Sequence, residues 1–88
     1  MASSDYRLLI KPSAVRELAA IPLKKERKQV AARIRDLAAA PRPRGCEKLT
    51  AQERYRVRQG PYRIVYAVDD RERTVTVVKI GHRKDVYR

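Results

Sequence analysis

Neither phenylalanine nor tryptophan occurs in this 88-residue chain, and five tyrosines are its only aromatic residues. Its core must therefore be aliphatic with some tyrosine. A single cysteine, Cys46, excludes an internal disulfide and with it a small cross-linked secreted scaffold, so a reducing cytoplasm is the expected compartment. Cys46 follows Gly45 in a proline-flanked connection, carries no local nucleophile signature and reads as incidental. Three glycines and five prolines are too few for a collagen-like or disordered chain. The opening MASSDYRLL lacks the apolar stretch of a signal peptide, and no apolar run reaches the length of a membrane span. With one histidine, one cysteine and no clustered carboxylates, there is no ligand set for a metal.

Positive charge is what the chain has in excess. Twenty-two lysines and arginines against ten acids give a formal charge of +12, a property that speaks of partners and not of fold. Arginine outnumbers lysine, and its planar fork suits phosphates and bases, which puts nucleic acid first among polyanions. An acidic protein that masks the charge fits the same composition, as does an inert basic surface. The length allows one domain, residues 1–88, with one modest core that buries roughly two-thirds of the unfolded surface.

Tyr6, Leu8 and Ile10 alternate with Arg7, Leu9 and Lys11, the period of a short strand, which Pro12 ends. Ser13 is placed to cap a helix whose positive end suits Glu17, whose buried stripe is Val15, Leu18 and Ala19, and which Pro22 stops. A second helix is expected from Leu23 to Ala40, with Val30, Ile34, Leu37 and Ala38 inward and Lys24, Lys25, Lys28 and Arg35 on other faces. Pro41 to Gly45 then carries the chain out as a loop.

Beyond Leu49 the period becomes two. Arg54, Arg56 and Arg58 fall on one side of a strand, with Tyr55 and Val57 on the other. Gln59, Gly60 and Pro61 form a turn, and Tyr62, Ile64, Tyr66 and Val68 alternate with Arg63, Val65 and Ala67. Tyr66, between Val65 and Ala67, reads as core. After a turn over Asp69 to Arg73, the β-branched run Thr74 to Ile80 reads as a central strand, and Gly81 divides it from a charged tail. The expected fold is α+β in the order β-α-α-β-β-β: a four-stranded antiparallel sheet covered on one face by a helical hairpin, its other face left for function.

The stretches YRVRQGPYRIVYAV (55–68) and VKIGHRKDVYR (78–88) resemble the RelE toxins of the RelE/ParE superfamily from bacterial type II toxin–antitoxin systems. The resemblance covers nearly the whole chain. It implies a ribosome-dependent endoribonuclease that cuts mRNA in the decoding site without metal or cofactor, and a cognate antitoxin that binds and silences it. Arg63, in the Tyr-Arg pair, corresponds to a phosphate-binding arginine. Arg83 corresponds to the arginine that stabilises the transition state or the leaving group. Tyr87 matches a C-terminal tyrosine that acts as general base, if surrounding cations lower its pKa, or stacks on a base.

Arg56 and Arg58 stand where several ribosome-dependent members carry lysines. Arginine stays protonated, so these two are expected to clamp phosphate and to leave proton transfer to Tyr87 or His82. His82 alone has an unperturbed pKa near neutrality, but strand alternation sets it on the side opposite Arg83. Arg54, Lys84 and Arg88 join Arg56 and Arg58 as expected RNA contacts. The helical charges Lys24, Lys25, Arg27, Lys28, Arg33 and Arg35 are a solvated face or a ribosomal footprint. Two rival readings stand beside the nuclease: a ParE-like inhibitor of DNA gyrase with the same fold, and a basic nucleic-acid-binding module without catalysis.

Overall fold

The structure, a computed structural model, describes residues 5–49 and 54–82. Its elements are β1 (Arg7–Ile10), α1 (Pro12–Ala19), α2 (Lys24–Ala39), β2 (Glu47–Leu49), β3 (Arg54–Gln59), β4 (Tyr62–Asp69) and β5 (Thr74–His82). The sheet is five-stranded and mixed, in the order β1-β5-β4-β3-β2, and not four-stranded and antiparallel. Two features make the difference. Glu47–Leu49 forms an extra edge strand antiparallel to β3, and β1 lies parallel to β5 with Arg7 opposite Thr74 and Ile10 opposite Val77. Parallel pairing requires a long crossover between the strands, and here the helical hairpin and the whole meander supply it.

The first helix starts earlier than its sequence suggests. Lys11 is the N-cap, in extended conformation with no side-chain cap bond, and Pro12 occupies the first turn, where its fixed φ and missing N–H cost nothing. Ser13 therefore lies inside the helix. The buried position is Ala14, fully enclosed, whereas Val15 is 48% exposed and Leu18 only half-buried. A one-residue offset rotates a helix face by about 100°, which moves Val15 out of the core.

Glu17 does not serve the helix end either. Its Oε1 accepts the Ile80 N–H at 2.8 Å and its Oε2 accepts from Lys79 Nζ at 3.2 Å, fastening α1 to β5. β1 pairs only as far as Val77, so Glu17 satisfies a donor on the strand edge beyond it. In α2, Val30, Ile34 and Leu37 are buried at helical spacing, as the pattern requires. No helix among the described residues is long and apolar enough to cross a membrane.

The β3–β4 hairpin closes through Gly60 and Pro61, with Gln59 paired to Tyr62. Gly60 has φ +60°, the left-handed value required by the turns whose twist matches the flanking strands. Between β4 and β5 the register shifts at Val65 and Tyr66, which face Lys79 and Val77, so Val78 is an additional residue in β5. Val75 and Val77 before the shift, and Ile80 after it, consequently all lie in the core with Ile64, Tyr66 and Val68. β5 also continues through Gly81 and His82, paired with Arg63 and Tyr62, so Gly81 does not divide strand from tail.

Tyr66 is completely buried, as its sequence position indicates, and donates to the Pro41 carbonyl at 2.7 Å. Its ring stacks on Tyr55, with centroids 5.8 Å apart. Arg42 lies over Tyr55, donates to its hydroxyl at 3.0 Å and grips Asp70 with two bonds of 3.2 and 2.8 Å. Tyr6 donates to the same carboxylate at 2.6 Å. Together these contacts tie the α2–β2 loop, the β4–β5 turn and the start of β1 into one end of the sheet.

Ile34→Ala is expected to lower the free energy of unfolding by about 3 kcal/mol, through lost burial and the cavity left behind. Val15→Ala, at an exposed position, should change it by less than about 0.5 kcal/mol; urea denaturation of the two variants measures both. Hydrogen bonds from Arg42, then from Tyr6, hold the Asp70 carboxyl below its usual value. Its stabilising contribution is complete above the ordinary aspartate range, about pH 4, and is lost as pH falls through the lower folded value. Asp70→Asn should accordingly reduce stability at neutral pH and flatten the acid limb of a stability-versus-pH curve.

Candidate functional site

Alternation along β3 builds the basic face. Tyr55 and Val57 point into the core, 7% and 1% exposed, which sends Arg54, Arg56 and Arg58 to the face that the helices do not cover. The hairpin register then sets Arg58 directly opposite Arg63, and Arg56 opposite Val65. Arg63 is 9% exposed, an unusual degree of enclosure for a guanidinium on this face. Arg54 lies two residues further along, opposite Ala67 and Leu49, away from the Arg58–Arg63 pair.

β2 brings one carboxylate into the cluster. Glu47 faces Arg56 in the ladder, and its Oε1 accepts from Arg56 Nε at 3.0 Å and from Arg56 Nη2. Those bonds and the Arg56 charge hold the Glu47 carboxyl below its ordinary value, with smaller pulls from Arg58 and Arg63. Gly45, Glu47, Arg56, Val57, Arg58 and Arg63 line a pocket of about 90 Å³. At roughly 30 Å³ per liquid water, that is space for about three waters or a small anion. Gly45 adopts φ +90°, a conformation that a side chain there would strain.

His82 is not part of this cluster. It pairs with Tyr62 on the helix-covered face, where the two rings meet edge to face at 5.8 Å and 80°. Its surroundings are a groove of about 280 Å³ lined by Glu17, Ala20, Ile21, Tyr62 and Lys79 among others. Arg83, Lys84, Tyr87 and Arg88 lie outside the described residues.

The helical cations Lys24, Lys25, Lys28 and Arg35 are exposed on the side of the sheet away from the pocket. Arg27 instead donates to the Ile21 carbonyl at 2.8 Å, closing the turn between the helices. Among the described residues, no group of three or more histidine, cysteine, aspartate or glutamate side chains is placed to hold a metal ion.

Sequence reasoning brings Arg56, Arg58 and Arg63 together correctly and misses Glu47. Glu47 reaches the pocket only because β2 exists, and three residues, Glu-Lys-Leu, carry no periodic signal. The available hint was its charge: a solitary acid between Gly45 and Lys48, a few residues before an arginine-rich strand.

The chain matches the model of the family described as the ParE toxin of the type II toxin–antitoxin system parDE over residues 8–87. It is 41% identical over 34 residues to toxin RelG of Mycobacterium tuberculosis, an alignment that spans 39% of this chain and 39% of that protein. Among solved structures it resembles the toxin–antitoxin complex RelBE2 of M. tuberculosis at TM-score 0.77 and 26% identity, covering 89% of this chain and 98% of the other. It resembles the RelE–RelB complex of Pyrococcus horikoshii at TM-score 0.78 and 25% identity, covering 92% and 98%. The family match takes in nearly every element from β1 to the C-terminal tail, and the chain belongs to the ParE toxin family of type II toxin–antitoxin systems, within the RelE/ParE superfamily.

Proposed function

We propose that this toxin is a ribosome-dependent endoribonuclease that cleaves mRNA without a metal and so arrests translation. The observation that carries the reading is the register of Arg58 against Arg63. Like charges directly opposite on a sheet are destabilising, and a phosphodiester seated between them converts that repulsion into binding.

In the proposed reaction the ribose 2′-hydroxyl attacks the adjacent phosphorus and the 5′-oxygen leaves, giving a 2′,3′-cyclic phosphate and a 5′-hydroxyl end. Arg63 and Arg58 hold the non-bridging oxygens and stabilise the extra charge of the phosphorane, the step at which fixed cations contribute most. Arg56, held by Glu47, sets the edge of the cradle. A carboxylate with a depressed pKa is a weak proton acceptor, so Glu47 orients Arg56 and does not serve as base. Proton removal falls to Tyr87, Arg83 stabilises the negative charge on the departing 5′-oxygen, and solvent water supplies the proton that completes the 5′-hydroxyl. Gly81 is the ladder partner of Arg63, which supports bringing the residues that follow β5 to the same phosphate. Arg54, Lys84 and Arg88 extend the contact along the RNA.

A cognate antitoxin is the proposed protein partner, supported by the relatives solved as toxin–antitoxin complexes and by the +12 charge that an acidic segment would neutralise. The reading places the protein in the cytoplasm with its ribosomes. One observation favours a second reading: the matching family is that of ParE toxins, which fits inhibition of DNA gyrase by the same fold.

Adding purified protein to translating ribosomes and mapping mRNA 5′ ends, beside a gyrase supercoiling assay, separates the two. Cleavage with gyrase unaffected is expected; intact mRNA with supercoiling blocked overturns the nuclease reading. Arg63→Ala should lower cleavage by about 10²- to 10³-fold, the scale of losing one charge-stabilising group. Arg63→Lys, which keeps the charge and loses the fork, should retain part of it, with circular dichroism confirming the fold of both. Glu47→Gln should tighten binding of a short RNA several-fold and steepen its salt dependence, because one more cation meets phosphate.

A further inference from the structure

His82 has the chemistry of a general base and the wrong address for one. It lies on the helix-covered face, whereas Arg56, Arg58 and Arg63 line a pocket reached from the other. We propose that His82 is a positioning residue: its ring clamps Tyr62 from beneath the sheet and so holds Gly81 in register with Arg63. The inference rests on the nuclease reading for its link to activity, and on the ladder alone for the clamp.

Among the described residues, Tyr62–His82 is the last rung of the β4–β5 ladder, and Arg63–Gly81 is the rung beside it. Terminal rungs open most easily. Gly81 offers no side chain to hold its own rung, and glycine within a strand weakens pairing. The cross-strand contact nearest the end is therefore the edge-to-face pair of Tyr62 and His82, at 5.8 Å and 80°, a preferred geometry for aromatic rings.

Among the described residues, Glu17 of α1 and Lys79 of β5 are charged groups that line the groove beside the imidazole, and they are engaged with each other at 3.2 Å. Glu17 also accepts the Ile80 N–H at 2.8 Å, two residues before His82. A carboxylate on α1 and a ring on β4 thus secure the final stretch of β5 on one face, so that its other face stays aligned with Arg63. What the clamp requires of residue 82 is an aromatic edge and not a proton.

The test compares His82→Phe with His82→Ala in the full chain, by mRNA cleavage on translating ribosomes across pH and by amide hydrogen exchange at Arg63 and Gly81. Phenylalanine should keep the rate within about threefold, leave the pH profile unchanged and preserve slow exchange; alanine should slow cleavage by about tenfold, the scale of one aromatic pair, and speed exchange. The proposal is overturned if phenylalanine costs about a hundredfold and removes an ionisation from the pH profile, as loss of a general base would. Unchanged exchange in the alanine variant overturns it as well. If the unaltered protein cuts no mRNA on ribosomes, the nuclease reading fails, and exchange alone decides whether the clamp exists.

Discussion

The alternation of side chains along β4 is the constraint on which both the core and the basic face depend. Ile64, Tyr66 and Val68 are held beneath the helices, so Arg63 between its neighbours has no choice but the opposite face. β4 lies between β3 and β5, and its ladders to both transmit that choice: Arg58 is aligned on one side and Gly81 on the other. A slip of one residue in either ladder would turn the core outward, so burial of Ile64 and Tyr66 pins the position of the arginines as firmly as it pins the fold.

Electrostatics then act within that frame. Guanidiniums gathered beside a nearly enclosed Arg63 repel one another, and the fold tolerates the arrangement because hydrophobic burial on the far side is large and a neighbouring carboxylate, Glu47, is bonded to Arg56. The helical cations Lys24, Lys25, Lys28 and Arg35 form a second basic region, on the other side of the sheet. The pocketed one orders its cations by hydrogen bonds and strand register. The helical one is a dispersed, solvated surface suited to long-range attraction.

Much of this was legible in the sequence where periodicity is strong. α2 follows from Val30, Ile34 and Leu37, and the β3–β4–β5 meander follows from alternation and from Gly60, so the Arg58–Arg63 cluster was readable before any coordinates. The rest escaped for physical reasons. β2 has three residues and gains its order from pairing with β3, which no local pattern records, and Glu47 went with it. The parallel placement of β1 depends on which sheet edge remains open once the meander has formed. In α1, Pro12 and the small Ala14 set the start and the buried face, whereas propensity pointed to Ser13 and Val15. The bulge at Val78 moved His82 within β5 to the covered face, a shift that simple counting cannot anticipate.

The central claim is that the open face, and not the helical one, receives the phosphate backbone of RNA. Nuclear magnetic resonance titration of the isotopically labelled protein with a short RNA carrying 2′-O-methyl groups, which cannot be cleaved, tests this most directly. Amide shifts concentrated at Arg58 and Arg63, with the paired Arg56 and Glu47 at the pocket edge moving less, are the expected result. Shifts confined to Lys24, Lys25, Lys28 and Arg35, with the β3–β4 hairpin unmoved, would contradict it.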